Sequence, residues 1–287
     1  MIRIGTSLMA LVTAAACASA GARVETGSLP VAGGELYYEV AGSGEPVVLI
    51  HGGFGDRRMW DDQFDVLARD YRVLRYDHRG FGRSPAPDTA YSPVRDLVQL
   101  LDRAELDRVH LVGNSLGGAL AITFAILHPE RVRSLTVVAS GADGFRYPQS
   151  DIEAITEVVA LMRGGRREEA LSKWLANPML AVVRTQPEVK EKVERMVREN
   201  AGIWTMAAWP QQPLTPPARE RLGRIRVPTL VVIGERDARS VRMFGDSTAR
   251  MIPGARRVVM EGTDHLPQME KPEEFTRVLV EFLRSTD

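Results

Sequence analysis

The short strand-forming run Val109-His110-Leu111-Val112 passes without a break into Gly113-Asn114-Ser115-Leu116-Gly117-Gly118, and that glycine-rich turn leads straight into the helical stretch Leu116–Leu127. No other feature of the chain constrains its fold as much. Where a strand becomes a helix with no loop between, side chains near the junction collide, and glycines relieve the crowding. Ser115 is thereby held on a sharp turn with its hydroxyl lifted clear of the sheet. It also sits at the N-terminal end of a helix, where backbone N–H groups and the helix dipole favour negative charge. The spacing is G-x-S-x-G in a strand–turn–helix setting, the mark of an exposed serine available for nucleophilic attack. A glycine-rich turn without chemistry is the alternative.

Around this junction, continuous apolar runs recur at Val47-Val48-Leu49-Ile50, Val73-Leu74-Arg75-Tyr76, Leu135-Thr136-Val137-Val138, Thr229-Leu230-Val231-Val232-Ile233 and Val258-Val259-Met260. A shorter β-prone stretch, Glu35-Leu36-Tyr37-Tyr38-Glu39-Val40, precedes them. Such runs suit strands buried on both faces. Helical patterns at 60–70, 92–104 and 116–127 alternate with them, which predicts an α/β fold with a mostly parallel central sheet and helices on both faces. The alternation stops between 142 and 224. Amphipathic helices are expected there at 151–162, 167–176 and 188–199, followed by the cluster Pro210, Pro213, Pro216 and Pro217. We read 142–224 as an inserted helical lid between two parts of one core, 21–141 and 225–287.

The first twenty residues do not belong to that fold. Arg3 precedes a stretch that carries no charge up to Arg23, and Ala18-Ser19-Ala20 forms an A-x-A cleavage site. This predicts a signal peptide over 1–20 and an exported, periplasmic or secreted protein. The single cysteine, Cys17, lies inside it after Ala14-Ala15-Ala16, so a lipid anchor at Cys17 is the alternative to simple cleavage. Beyond it no cysteine remains for a disulfide, a nucleophile or a metal site. The charge balance, 37 Lys+Arg against 37 Asp+Glu, argues against a nucleic-acid partner. No apolar run is long enough for a membrane span.

A serine hydroxyl needs a base, and the base needs an orienting carboxylate. Of the five histidines, His110 falls mid-strand, His128 caps a helix before a proline, His78 sits in a loop, and His51 follows the first central strand. His265 follows the last strand, where catalytic groups of open α/β sheets collect, and is the best base. By the same logic Asp237, after the strand at 229–233, is the acid; Glu235 and Asp264 are the alternatives. Negative charge developing on a substrate carbonyl needs N–H donors. Leu116, directly after the serine, supplies one. The loop His51-Gly52-Gly53-Phe54 supplies the other, from Gly53 or alternatively Phe54.

These residues, with Asp77-His78-Arg79-Gly80-Phe81-Gly82-Arg83-Ser84 after the second central strand and Asp264-His265-Leu266-Pro267 near the end, resemble the α/β-hydrolase fold family. The resemblance spans nearly the whole chain beyond residue 20, in the family's order Ser115…Asp237…His265. The stretch Arg57 to Phe64 is similar to enol-lactonases and small-ester hydrolases. Members that dehalogenate or open epoxides carry Asp at the elbow, so Ser115 sets this chain apart from them. Phe54 departs from the proline of iminopeptidases, and Asp264 stands where many members have glycine.

The resemblance implies a serine hydrolase that cleaves a small, partly apolar carboxylic ester or lactone through an acyl-enzyme on Ser115, with no metal or cofactor. Phe54, Trp204, Met206 and Trp209 are expected to line an apolar substrate pocket, and Trp174 to be ordinary packing of the insertion. Two alternatives stay open. One is C–C bond hydrolysis on the same fold; the other is a receptor-like ligand-binding protein with little turnover.

Overall fold

The computed structural model describes residues 23–87, 89–200 and 214–286. The expected signal peptide and Cys17 lie outside these residues. Eight strands form one sheet: β1 (Glu25–Val31), β2 (Gly34–Ala41), β3 (Pro46–Ile50), β4 (Arg72–Tyr76), β5 (Val109–Asn114), β6 (Val132–Val138), β7 (Thr229–Gly234) and β8 (Arg256–Met260). Their spatial order is β1-β2-β4-β3-β5-β6-β7-β8. β1 and β2 run antiparallel to each other, β2 runs antiparallel to β4, and every pairing from β4 to β8 is parallel. The α/β class and the mostly parallel sheet are as the sequence predicts. β1 escaped that reading because its side chains are mostly exposed or half-buried, so no apolar run marks it.

Alternation of side chains along a strand explains why the central strands read as continuous apolar runs. Val47 and Leu49 of β3 enter one apolar cluster, whereas Val48 and Ile50 enter the cluster on the opposite face. The second cluster is roofed by α2 (Pro93–Arg103) and α3 (Leu116–Leu127). The first is covered by α1 (Asp61–Leu67) and extends into α4 (Gln149–Arg163), α5 (Arg167–Leu175) and α6 (Pro187–Glu199), which lie between β6 and β7. Farther along, Ala218 of α7 (Ala218–Arg221), Leu222 and Ile225 pack in the second cluster instead. The stretch read from sequence as one insertion therefore serves both faces of the sheet. Helices α8 (Arg239–Met251), α9 (Pro267–Glu270) and α10 (Pro272–Arg284) complete the chain. No helix among the described residues is long and apolar enough to cross a membrane.

Candidate active site

The loops that leave the C-terminal ends of β3, β5, β7 and β8 meet at one point above the sheet, the place where open α/β sheets gather their ligands. β5 delivers Ser115. Its φ of +51° and ψ of −113° put it in a region that L side chains rarely adopt, and α3 begins at the next residue. The two motif glycines are required sterically. A Cβ on Gly113 would sit 2.3 Å from the carbonyl oxygen of Gly117, and one on Gly117 would sit 2.3 Å from that of Ile50. Strain at a single residue, maintained by packing on all sides, commonly marks a functional position.

His265 bridges the other two groups. Its Nε2 lies 2.9 Å from Ser115 Oγ, and its Nδ1 lies 2.9 Å from Asp237 Oδ2. With a carboxylate as partner, Nδ1 carries the proton and Nε2 presents its lone pair to the serine hydroxyl. Asp237 is anchored in turn, since its Oδ1 accepts the N–H of Ala238 at 2.7 Å. Burial pulls the His265 pKa down, but the charge and hydrogen bond of Asp237, followed by the charge of Asp264, outweigh it and leave the pKa raised. The alternative acids are engaged elsewhere. Glu235 accepts the N–H of Gly262, and both oxygens of Asp264 accept backbone N–H groups.

The loop after β3 is held by a buried histidine. His51 Nδ1 lies 2.7 Å from the carbonyl of Gly52, and His51 Nε2 accepts the N–H of His78 at 2.9 Å. Those partners select the neutral tautomer protonated on Nδ1, in keeping with a pKa lowered chiefly by complete burial. Beyond it Phe54 adopts φ of +65°. Asp56 follows; although burial opposes its charge, hydrogen bonds from Arg58 and Asn200 hold its pKa down to about 2. Gly53 and Phe54 border a cavity of about 20 Å³ together with Asn114, Trp174 and His265. Leu116 opens α3, where the first N–H groups of a helix have no intrahelical acceptor.

The structure thus gathers Ser115, Asp237, His265, Leu116, Gly53 and Phe54 at one site. Trp204, Met206 and Trp209 lie outside the described residues. Trp174, expected as ordinary packing, stacks on Phe54 and lines the cavity. Val193, Met196 and Val197 line the cavity too, and their helical spacing along α6 was the available signal. Asn114 was missed. Its Nδ2 donates to the His265 carbonyl at 3.0 Å, across 151 residues of sequence, and joins the elbow to the loop that carries the histidine. Ser140 Oγ donates to the Ser115 carbonyl at 2.6 Å. Among the described residues, no cluster of three or more His, Cys, Asp or Glu is placed to hold a metal.

A strained serine, a histidine presenting a lone pair to it and a carboxylate behind that histidine can together transfer the serine proton and generate a nucleophile. Known proteins with this architecture act on several kinds of bond. The chain is 31% identical to a protein of Azorhizobium caulinodans named as carbamate hydrolase RutD, over 88% of this chain and 96% of that one. It is 32% identical to the 2-hydroxy-6-oxononadienedioate/2-hydroxy-6-oxononatrienedioate hydrolase of Paraburkholderia xenovorans, over 87% and 90%. Among solved structures, the enol-lactonase from Burkholderia xenovorans superposes with a TM-score of 0.77 at 25% identity, covering 90% of this chain and all of that one. The model of the alpha/beta hydrolase family matches residues 47–278, four-fifths of the sequence and every strand from β3 to β8, and the chain belongs to that family.

Proposed function

We propose that this protein is an exported serine hydrolase that cleaves a small, uncharged, partly apolar carboxylic ester or lactone. The observation that carries the reading is the position of His265, within 2.9 Å of both Ser115 Oγ and Asp237 Oδ2. Ser115 Oγ attacks the carbonyl carbon while its proton passes to His265 Nε2. The N–H groups of Leu116 and Gly53 hold the carbonyl oxygen as it gains charge. The tetrahedral intermediate collapses, the C–O bond to the alcohol breaks, and His265 returns the proton to the departing oxygen. Water, deprotonated by His265, then attacks the acyl-enzyme and releases the acid and free Ser115.

The lining of the cavity supports the substrate class. No Lys or Arg borders it among the described residues. A carboxylate moved from water into such a site without a cationic partner is penalised by several kcal/mol. The Paraburkholderia relative is named as the hydrolase of a dienedioate or trienedioate. Identity to that relative favours C–C hydrolysis as the second reading, and the uncharged lining disfavours the dicarboxylate form of it.

Labelling with a fluorophosphonate probe tests the nucleophile. The wild type labels and Ser115→Ala does not; labelling that persists in the variant removes the assignment. A panel of p-nitrophenyl esters, lactones and ring-fission dienones tests the substrate class. Uncharged esters or lactones turn over fastest, and faster turnover of a dienone dicarboxylate reverses the order of the two readings. Tight binding of a ligand without turnover of any compound favours a receptor.

A further inference from the structure

Asp264 is fully buried beside His265, and each of its carboxylate oxygens has its own donor. Oδ1 accepts the backbone N–H of His265 at 2.6 Å. Oδ2 accepts the backbone N–H of Val182 at 2.6 Å, across 82 residues of sequence. Val182 lies in the insertion, between the 3-10 turns Pro178–Leu180 and Val183–Thr185. Leu180, two residues before it, lines the same cavity as His265. From the other side, Glu270 on α9 accepts the N–H of Asp264 through Oε2 at 2.6 Å and the N–H of Leu266 through Oε1 at 2.9 Å. Three successive N–H groups around the histidine are therefore held by two carboxyl groups. One of those carboxyls also reaches out of the core to hold the insertion.

We propose that Asp264 is a positioning residue, a latch with one oxygen seating the backbone of His265 and the other fastening the insertion over the cavity. The inference rests on the proposed reaction at Ser115. A buried carboxylate is stable only while its oxygens are hydrogen-bonded. Displacing Val182 therefore strands Oδ2 and loosens the carboxylate that seats the histidine, so closure of the insertion and placement of the base are coupled. Glu270 supports the arrangement. Burial and the neighbouring Asp264 push its pKa up.

The stereochemistry of an amide provides the test. Asp264→Asn keeps the volume but offers one acceptor oxygen to two donors, so its NH2 group faces whichever of the two N–H groups the oxygen does not take. If Asp264 merely fills space, this variant behaves as the wild type. If it is the latch, amide exchange at residues 179–186 accelerates at least about tenfold, and kcat for a p-nitrophenyl ester falls about tenfold. Asp264→Gly gives losses of the same order. Should neither variant fold, exchange in the wild type decides: a Val182 amide about a hundredfold slower than that of exposed Arg184 supports the latch, and an equally fast one overturns it. Fluorophosphonate labelling of the wild type separates the two levels. A protein that does not label at Ser115 removes the proposed reaction and the latch with it. One that labels, with unchanged exchange and kcat in Asp264→Asn, removes the latch alone.

Discussion

The rings of Phe54 and Trp174 stack with their centroids 3.5 Å apart and their planes within 16°. One belongs to the loop after β3 and the other to α5, so the stack joins that loop to α5 at the edge of the cavity. About 20 Å³ is room for roughly one water, far below the few hundred Å³ of an ordinary ligand pocket. Removing the Trp174 side of this wall would enlarge the room beside His265. Trp174→Ala should lower stability by about 3 kcal/mol, as for other buried aromatic truncations, and should shift preference toward bulkier acyl groups. Thermal unfolding and a graded ester series measure the two effects. An unchanged chain-length preference would show that the wall does not limit the substrate.

The pH dependence follows from the base. His265 must be neutral to accept the serine proton, and its pKa lies above the ordinary 6.5. The rate constant kcat/KM should therefore fall as pH drops through a value above 6.5. Asp237→Asn removes the charge and hydrogen bond that favour the imidazolium, so the limb should move to lower pH while kcat drops by about four orders of magnitude. A limb that stays in place would show that Asp237 does not act on the histidine.

Asn114 offers a cleaner geometric test, because it lies next to the nucleophile yet its Nδ2 donates to the backbone carbonyls of Val138 and His265. Asn114→Ala deletes the bond to the His265 carbonyl. We expect kcat to fall about tenfold, consistent with roughly 1–1.5 kcal/mol for one hydrogen bond, with KM less affected. Steady-state kinetics would contradict this if KM alone moved.

Stability should also depend on pH through Glu270. Its folded pKa, about 9, exceeds the ordinary 4.5, so the folded state retains a proton that the unfolded chain releases above pH 4.5. The stabilising effect is fully present below 4.5, declines as pH rises and is lost by about pH 9. Asp264→Asn removes the partner whose hydrogen bond and charge add to the effect of burial. Urea unfolding from pH 5 to pH 9 should accordingly show a shallower decline in the variant. Equal slopes would mean that the two carboxyls are not coupled.

The sequence marks the sheet from β3 to β8, because the central strands β3, β5, β6 and β7 are buried along nearly their whole length and read as largely apolar runs, while β4 and the edge strand β8 show through shorter ones. It also determined the elbow, since only glycine fits where β5 and α3 meet. The edge strand β1 left no such mark, as an edge strand with exposed side chains has no need of an apolar run. The choice of acid lay between the two. Asp237, Glu235 and Asp264 all follow strand ends and are locally equivalent. Only the packed loops bring Asp237 Oδ2 to His265 and direct Glu235 and Asp264 to backbone N–H groups. The pairing of Phe54 with Trp174, the bond from Asn114 to His265 and the fastening of Val182 to Asp264 were likewise decided by the tertiary structure. Each joins residues from different loops whose separation in sequence carries no local periodicity, and their contact exists only once the sheet has set where its loops end.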